Sequence, residues 1–277
     1  MTLSGRNALF KTGIALTAFC VVLVIIASFY VIPAYPSMET ENPLRPEGFL
    51  QAFTGRFFNT DFYAFHVALA AAVLYSFVSI IFIFFYYEKT WAPEILFVAF
   101  FSVSFCFEAA RLVIPLCIIS EMSSFYQLIA SRTMLFGRYF GFFSIFTASV
   151  CSTGLDVKKP MILFMIILVA TLVIAMGIPI DTQTWDTSLN MINGYTAMFR
   201  LIETILFLIT VISFFIAASI RSSREYIIIG IGTFLALSGR ILLLDIDNWA
   251  GPVSGILFLT AGTWLICTRL HKIYLWL

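Results

Sequence analysis

Eight long apolar runs constrain the fold of this chain more than any other feature of its sequence. They cover residues 12–34, 62–87, 94–120, 133–153, 160–180, 195–220, 226–244 and 251–270. Each is close to the ~20 apolar residues that a helix needs to cross the ~30 Å hydrocarbon core of a bilayer. The runs lack the period-two alternation of a membrane strand. The sequence therefore predicts an all-α integral membrane protein, a polytopic bundle of about eight transmembrane helices in a lipid bilayer.

The composition excludes a soluble globular fold. Hydrophobic residues make up 61% of the chain and charged residues 11%, whereas a soluble domain carries roughly 25% charged residues. A formal net charge of +1 gives no global basicity, so no nucleic-acid partner is expected. The first run is longer than the apolar region of a signal peptide, and no clear small-residue cleavage site follows it. We therefore predict that it is a retained helix; its cleavage would leave seven.

The distribution of lysine and arginine predicts the orientation of the bundle. The chain ends and one set of loops carry nine of these residues: Arg6, Lys11, Lys89, Lys158, Lys159, Arg221, Arg224, Arg269 and Lys272. The opposite loops carry only Arg45, Arg56 and Arg132. Because short cytoplasmic loops carry the excess of basic residues, both termini are predicted to be cytoplasmic, with the protein in a cell or cytoplasmic membrane.

We interpret residues 1–277 as a single transmembrane domain. The predicted cytoplasmic connections are short, so a cytoplasmic output would need a partner membrane protein, a cytoplasmic signalling protein or further sequence. The one sizeable connection is the outer loop 35–61. Four apolar residues between positions 49 and 57 fall on one side of a helix. This pattern predicts an interfacial helix that lies on the membrane or over the mouth of the bundle.

The sequence has no motif for a common metal, cofactor or catalytic site. Its five cysteines lie inside apolar runs without a CxxC pair, and it has two histidines, too few for a multi-histidine metal or haem site. HExxH, GxSxG and Walker A motifs do not occur. We therefore predict no metal site and no cofactor, and the sequence identifies no catalytic residue with certainty.

Ionisable residues inside the apolar runs are the most informative feature for function. They are Glu108, Arg111, Arg138, Arg200, Glu203 and Arg240. Such a side chain costs roughly 2.5–3.5 kcal/mol at the bilayer centre, so these residues should face one another or a water-filled cavity. With a rise of about 1.5 Å per residue, all six are predicted to lie in the outer half of the bilayer. His66 joins the same layer, and we predict that the seven residues line one ligand site.

The neighbours of these charges indicate that the charged helix faces are internal. Small or polar residues recur with the charges at helical spacing in three helices: Ser104, Glu108, Arg111 and Pro115; Arg138, Gly141, Ser144, Ala148 and Cys151; Thr233, Ala236 and Arg240. Helix faces with small residues pack against other helices in membranes. The charged layer is therefore predicted to lie inside the bundle.

Two interpretations of the charged layer remain open from the sequence. In the first, a glutamate and an arginine three residues apart neutralise each other on one helix, and the remaining arginines reach the outer headgroups. In the second, four arginines against two glutamates leave two positive charges, which suit a carboxylate or a phosphate. Asp245 and Asp247 complicate the second interpretation, because they could supply the missing negative charge.

Three functions are compatible with this pattern. The leading hypothesis is a membrane receptor or sensor module that binds a small anionic or zwitterionic ligand in an outward-facing pocket lined by Arg and Glu. The main alternative is a membrane-embedded enzyme acting on an anionic lipid or a lipid phosphate headgroup. Its general acid or base would be Glu108 or Glu203, and the arginines would clamp the phosphate. The third is a structural or assembly subunit whose charges pair with a partner's helix. The sequence does not decide whether the chain is an enzyme.

Overall fold

The structure, a computed structural model, describes residues 3–34, 61–86, 92–154, 160–185, 189, 191–246 and 248–275. Over these residues the chain is almost entirely helical. The helices are α1 (Leu3–Val31), α2 (Phe62–Tyr86), α3 (Pro93–Ser104), α4 (Val113–Ile119), α5 (Ser124–Ser152), α6 (Pro160–Gly177), α7 (Thr196–Ile220), α8 (Glu225–Leu244) and α9 (Ala250–Leu275). Short 3₁₀ stretches cover Ile32–Ala34 and Phe105–Leu112.

Eight helical segments among the described residues are long and apolar enough to cross a membrane. Seven are single α-helices, one of them extended by the first 3₁₀ stretch, and the eighth combines α3, the second 3₁₀ stretch and α4. The predicted all-α polytopic bundle of about eight transmembrane helices is therefore confirmed. With eight crossings, both ends of the chain lie at one end of the bundle, which we call the terminal end; the other is the far end. Which of them faces the cytoplasm stays a prediction.

Helix α5 begins earlier than the sequence predicts. Apolar residues become dense only from position 133, but the helix starts at Ser124. The hydroxyl of Ser123 accepts a hydrogen bond from the Phe125 N–H at 3.3 Å, which satisfies one of the free amides at the helix start. A polar first segment can be helical when it is capped in this way, and hydrophobicity alone does not reveal it.

The third membrane segment is not a regular α-helix. Its central part, Phe105–Leu112, is 3₁₀, and we call it the 3₁₀ segment. Pro115 supplies a physical reason for the break at its end, because proline lacks an N–H and its ring clashes with the carbonyl four residues earlier, that of Arg111. Pro115 is the third residue of α4, where a helix has no intrahelical partner for that N–H. Runs of 3₁₀ helix longer than three or four residues are uncommon and often mark a functional hinge.

A short β-hairpin at the far end was not predicted. Ile180–Trp185 pairs antiparallel with Met191–Asn193 between α6 and α7. Gly194 closes it, donating its N–H to the Pro179 carbonyl at 2.8 Å. The strands are too short for their alternation to stand out beside apolar runs of 20 residues. The predicted interfacial helix of loop 35–61 falls outside the described residues, of which Asp61 is the only one in that loop.

Helices α8 and α9 pack backbone to backbone. A Cβ atom added to Gly239 would come within 2.5 Å of the Leu259 backbone N, and one added to Gly262 within 2.5 Å of the Ala236 backbone N. Only glycine permits so close an approach, and small residues serve this purpose widely in membrane helix pairs. The close contact fixes α8, which carries Arg240, against α9.

Candidate functional site

Six charged side chains from four membrane segments meet near the far end of the bundle. They are Glu108, Arg111, Arg138, Glu203, Arg240 and Asp245, and we call them the charge network. The 3₁₀ segment, α5, α7 and α8 with the residue that follows it contribute the members. The structure thus brings together five of the seven predicted site residues, and it adds Asp245.

The inner part of the charge network is closed. Glu108 and Arg111 are each 1% exposed, and Arg240 is 2% exposed. Arg111 Nε lies 2.8 Å from Glu108 Oε2, and Arg240 Nη2 lies 3.8 Å from Glu108 Oε1. Neither Glu108 oxygen has a well-aligned hydrogen bond to a described residue, so these contacts are Coulombic. A buried ion pair with imperfect geometry adds little net stability, but removing one partner leaves a costly buried charge.

The guanidinium of Arg240 is surrounded by two aromatic rings and by Gly141 of α5. Its guanidinium lies 5.0 Å from the ring centroids of both Phe105 and Phe142, which stabilises a cation electrostatically. Its Nη1 donates to the Ser104 hydroxyl at 3.3 Å. A Cβ at Gly141 would lie 2.4 Å from both Arg240 Nη1 and Ser104 Oγ. The absence of a side chain at Gly141 therefore makes room for the Arg240–Ser104 contact.

Arg111 links the 3₁₀ segment to the end of α8. Its Nη1 donates to the Leu244 carbonyl at 3.3 Å, and its guanidinium lies 5.3 Å from the Phe65 ring centroid. Leu244 is the last residue of α8, where free carbonyls and the helix dipole favour a cation. Asp245, the next residue, belongs to the outer part of the network. The two parts of the charge network thus meet at neighbouring residues of one helix end.

The outer part of the charge network is accessible. Arg138 Nη2 donates to Asp245 Oδ1 at 2.5 Å, and Arg138 Nη1 lies 3.9 Å from Glu203 Oε1. The exposed fractions of these side chains are 16% for Arg138, 17% for Glu203 and 41% for Asp245. Arg138 therefore sits between carboxylates of two other helices, in a position that a molecule from outside the bundle can approach.

The charges within the network balance. Three arginines face three carboxylates, because Asp245 joins the cluster and Arg200 does not. Arg200 is exposed on the first turns of α7, and among the described residues no carboxylate lies within ion-pairing distance of it. The expected surplus of two positive charges inside the bundle is therefore wrong: one of the four arginines lies outside, and an aspartate supplies the third negative charge.

His66 of α2 makes a contact that the sequence did not predict. It is buried, and its Nε2 lies 2.8 Å from the hydroxyl of Ser28 in α1. This contact joins α1 to α2. No described ion pair connects His66 to the six members of the charge network.

The predicted internal faces are confirmed as buried. The residues of the three stripes are buried, apart from the partly exposed Arg138. The 3₁₀ geometry does not remove Glu108 and Arg111 from the same side, because they are three residues apart and eclipse in a helix of three residues per turn. Glu108 pairs with Arg111 on its own segment, as the interpretation of a helix-local pair predicts. It also pairs with Arg240 on another helix.

A second buried carboxylate lies near the terminal end, where no internal charge was expected. Glu94, the second residue of α3, is 1% exposed, and the Tyr274 hydroxyl donates to its Oε2 at 2.8 Å. Glu94 is the first residue of the apolar run 94–120, and its burial was not predicted. The packing of α9 across the start of α3 buries it.

No cluster of three or more His, Cys, Asp or Glu side chains suited to a metal ion occurs among the described residues. The five cysteines are buried and not joined by disulfides.

No protein-family model matches the chain, and no curated protein is significantly similar to it. The class of protein is therefore defined by the fold, a multi-pass membrane bundle, and its function has to be argued from the charge network.

Proposed function

We propose that the chain is a membrane receptor or sensor module that binds a small anionic or zwitterionic ligand at Arg138. The observation that carries the proposal is the partly exposed ion pair of this arginine with Asp245. Arg138 is held by Asp245 and Glu203, which belong to other parts of the chain and are both accessible. Because the Arg138 side chain is 16% exposed, an external carboxylate or phosphate that replaces Asp245 has to form equally good bonds to the guanidinium, which a bidentate contact would supply.

A ligand at this position finds groups of both signs. Arg200 is exposed on α7 one turn from Glu203. The ring of Tyr139, which follows Arg138, and the ring of Phe199, which precedes Arg200, lie 6.1 Å apart between α5 and α7. Arg138 and Arg200 are therefore next to an established α5–α7 contact and could share an anion. Guanidinium groups bind carboxylate and phosphate in a bidentate manner. The displaced Asp245 carboxylate would be free to bind an amine, which favours a zwitterion.

The response to a ligand would pass through the end of α8. Displacement of Asp245 from Arg138 releases the residue next to Leu244, whose carbonyl holds Arg111 of the 3₁₀ segment. A 3₁₀ segment can change towards α geometry by shifting its hydrogen bonds by one residue. A ligand that binds one of two arrangements of a segment more tightly shifts the population towards that arrangement. The receptor would therefore couple occupancy at Arg138 to the third membrane segment.

Thermal unfolding of the purified protein tests this proposal. Acetate, inorganic phosphate and glycine are titrated separately, and at least one should raise the unfolding temperature progressively, because a ligand of the folded state stabilises it. Arg138→Lys should weaken the response, since an ammonium cannot reproduce the guanidinium fork. Arg269→Lys is the matched control, because Arg269 forms a comparable partly exposed ion pair with Glu225 at the terminal end; its response should equal that of the unmodified protein.

Asp245→Asn separates a ligand site from a purely structural ion pair. It removes the internal competitor for Arg138, so the response to the anion should become stronger although the protein itself loses some stability. A structural pair predicts no anion response in any variant. Equal responses in the unmodified protein, Arg138→Lys and Asp245→Asn would refute the proposed site.

The enzyme and assembly-subunit alternatives stay predictions. An acid–base carboxylate must reach its substrate, and Glu108 is enclosed by two arginines; Glu203 is the more accessible of the two. An assembly subunit needs charges left over for its partner; the charge network is balanced, and of the predicted site residues that the structure describes only the exposed Arg200 could serve in this way. Neither alternative is favoured by a specific observation.

A further inference from the structure

An apolar cleft of about 380 Å³ opens on the side of the bundle near the terminal end. Residues of α1, α3, α5 and α6 form most of its wall, with Ile80 of α2 and Phe107 of the 3₁₀ segment completing it. The cleft is separate from the charge network and plays no part in the function proposed above. It runs along α1 from Leu9 to Leu16, about 10 Å at 1.5 Å per residue.

The two walls of the cleft differ in the size of their side chains. On one side, aromatic rings pack against one another. The Phe100 and Phe164 ring centroids are 4.7 Å apart, and the Phe136 and Phe140 rings stack at 5.6 Å. These bulky rings brace α3, α5 and α6 against one another. On the other side, α1 presents Gly13, which has no side chain to fill the space. A Cβ atom at Gly13 would meet Val103 and Ile80 at 3.5 and 3.7 Å, which are ordinary contacts, so the glycine leaves room on the α1 wall that a larger side chain could fill.

The chemistry of the walls selects an apolar occupant. Among the described residues that line the cleft, only Thr12 has a polar side chain, and its hydroxyl already donates to the Leu9 carbonyl at 2.8 Å. A polar ligand would lose its hydrogen bonds to water and find none in return, which is unfavourable. The helical segments that form the cleft are all long and apolar enough to cross a membrane, and lipid chains are the medium around such segments.

The exposed Lys11 indicates the charge of the lipid headgroup. It is the last residue before the apolar run of α1, at the level where the cleft begins, and its side chain is exposed. Among the described residues no carboxylate forms an ion pair with it. A lysine at this depth extends to the membrane surface, where basic side chains attract anionic lipid headgroups. We propose that the cleft binds one acyl chain of an anionic phospholipid whose phosphate contacts Lys11.

Native mass spectrometry of the full-length protein with added phosphatidylglycerol tests the acyl-chain site. Gly13→Leu places a side chain in the cleft and should weaken the tightest bound phosphatidylglycerol about tenfold or abolish it. Ala15→Leu is the matched control, because Ala15 lies at the same depth, is exposed and does not line the cleft; its lipid binding should be unchanged. Leu16→Trp fills the cleft from its exposed side and provides a second test should Gly13→Leu fold poorly.

The headgroup is tested with Lys11→Gln and with phosphatidylcholine as the zwitterionic probe. The unmodified protein should retain phosphatidylglycerol more tightly than phosphatidylcholine, and Lys11→Gln should remove that difference. Equal lipid retention by Gly13→Leu, Leu16→Trp and Ala15→Leu would mean non-specific annular lipid and would overturn the proposal. A dimer that Gly13→Leu and Leu16→Trp dissociate would also overturn it, because the occupant would then be a helix of a second copy.

Discussion

The substitution Gly141→Ala tests whether the inner part of the charge network depends on the space at this glycine. The new Cβ would lie 2.4 Å from Arg240 Nη1 and Ser104 Oγ and 3.1 Å from Ser104 Cβ. Both side chains would have to move, which would break the 3.3 Å hydrogen bond between them and shift Arg240 from between its two phenylalanine rings.

The expected cost follows from three contributions. Overpacking costs about 1–3 kcal/mol, and the loss of a hydrogen bond to a charged group costs about 1.5–3 kcal/mol. Alanine recovers roughly 1 kcal/mol of helix propensity over glycine. Because the ends of the Arg240 and Ser104 side chains can partly rotate away, we expect the lower half of the sum, a net loss of about 1.5–3 kcal/mol.

Thermal unfolding in detergent, compared with Gly230→Ala, measures this effect. Gly230 also lies inside a buried helix, but a Cβ there would meet Phe214 Cβ at 3.5 Å, an ordinary contact, so alanine should be neutral or slightly stabilising. Gly141→Ala should unfold several degrees below this control. The double variant with Ser104→Ala should be less destabilised than the sum of the two single variants, because one of the colliding atoms is gone. Equal unfolding temperatures for Gly141→Ala and Gly230→Ala would refute the reasoning.

Three further predictions concern the charge network, the partly exposed ion pairs of Glu225 and the orientation of the bundle in the membrane. Exchanging Glu108 and Arg111 keeps the charge but moves each away from its partner on α8, so the unfolding free energy should fall by about 3–5 kcal/mol; an unchanged unfolding temperature would favour a helix-local pair. Glu225→Gln removes the partly exposed partner of two basic residues of α9 and should cost no more than about 1 kcal/mol per pair in the same assay. A reporter fused to the C-terminus should be active on the cytoplasmic side, and an external signal would contradict the predicted orientation.

The sequence predicted the class of fold because membrane insertion depends on local properties. A run of about 20 apolar residues is sufficient for a spanning helix, so hydrophobicity alone located the eight segments to within a few residues in most cases. It failed at the start of α1, which begins at Leu3 rather than at position 12, and at the start of α5, where a serine cap extends a polar first segment. It also failed at the hairpin 180–193, where the strands are short. The cost of burying charge also predicted correctly that Glu108, Arg111 and Arg240 lie on internal faces.

Only the tertiary structure decided which charges pair and whether they balance. Arg200 and Glu203 are three residues apart on one helix, but Glu203 faces Arg138 while Arg200 is exposed; the rotation of α7 in the bundle sets this difference. Asp245 reaches Arg138 because α8 ends at that level, and Glu94 is buried because α9 crosses the start of α3. The sequence by itself determined that the charges must be compensated, since lipid cannot solvate them. Their partners depend on helix rotation, depth and end points, which arise from contacts between segments far apart in the chain.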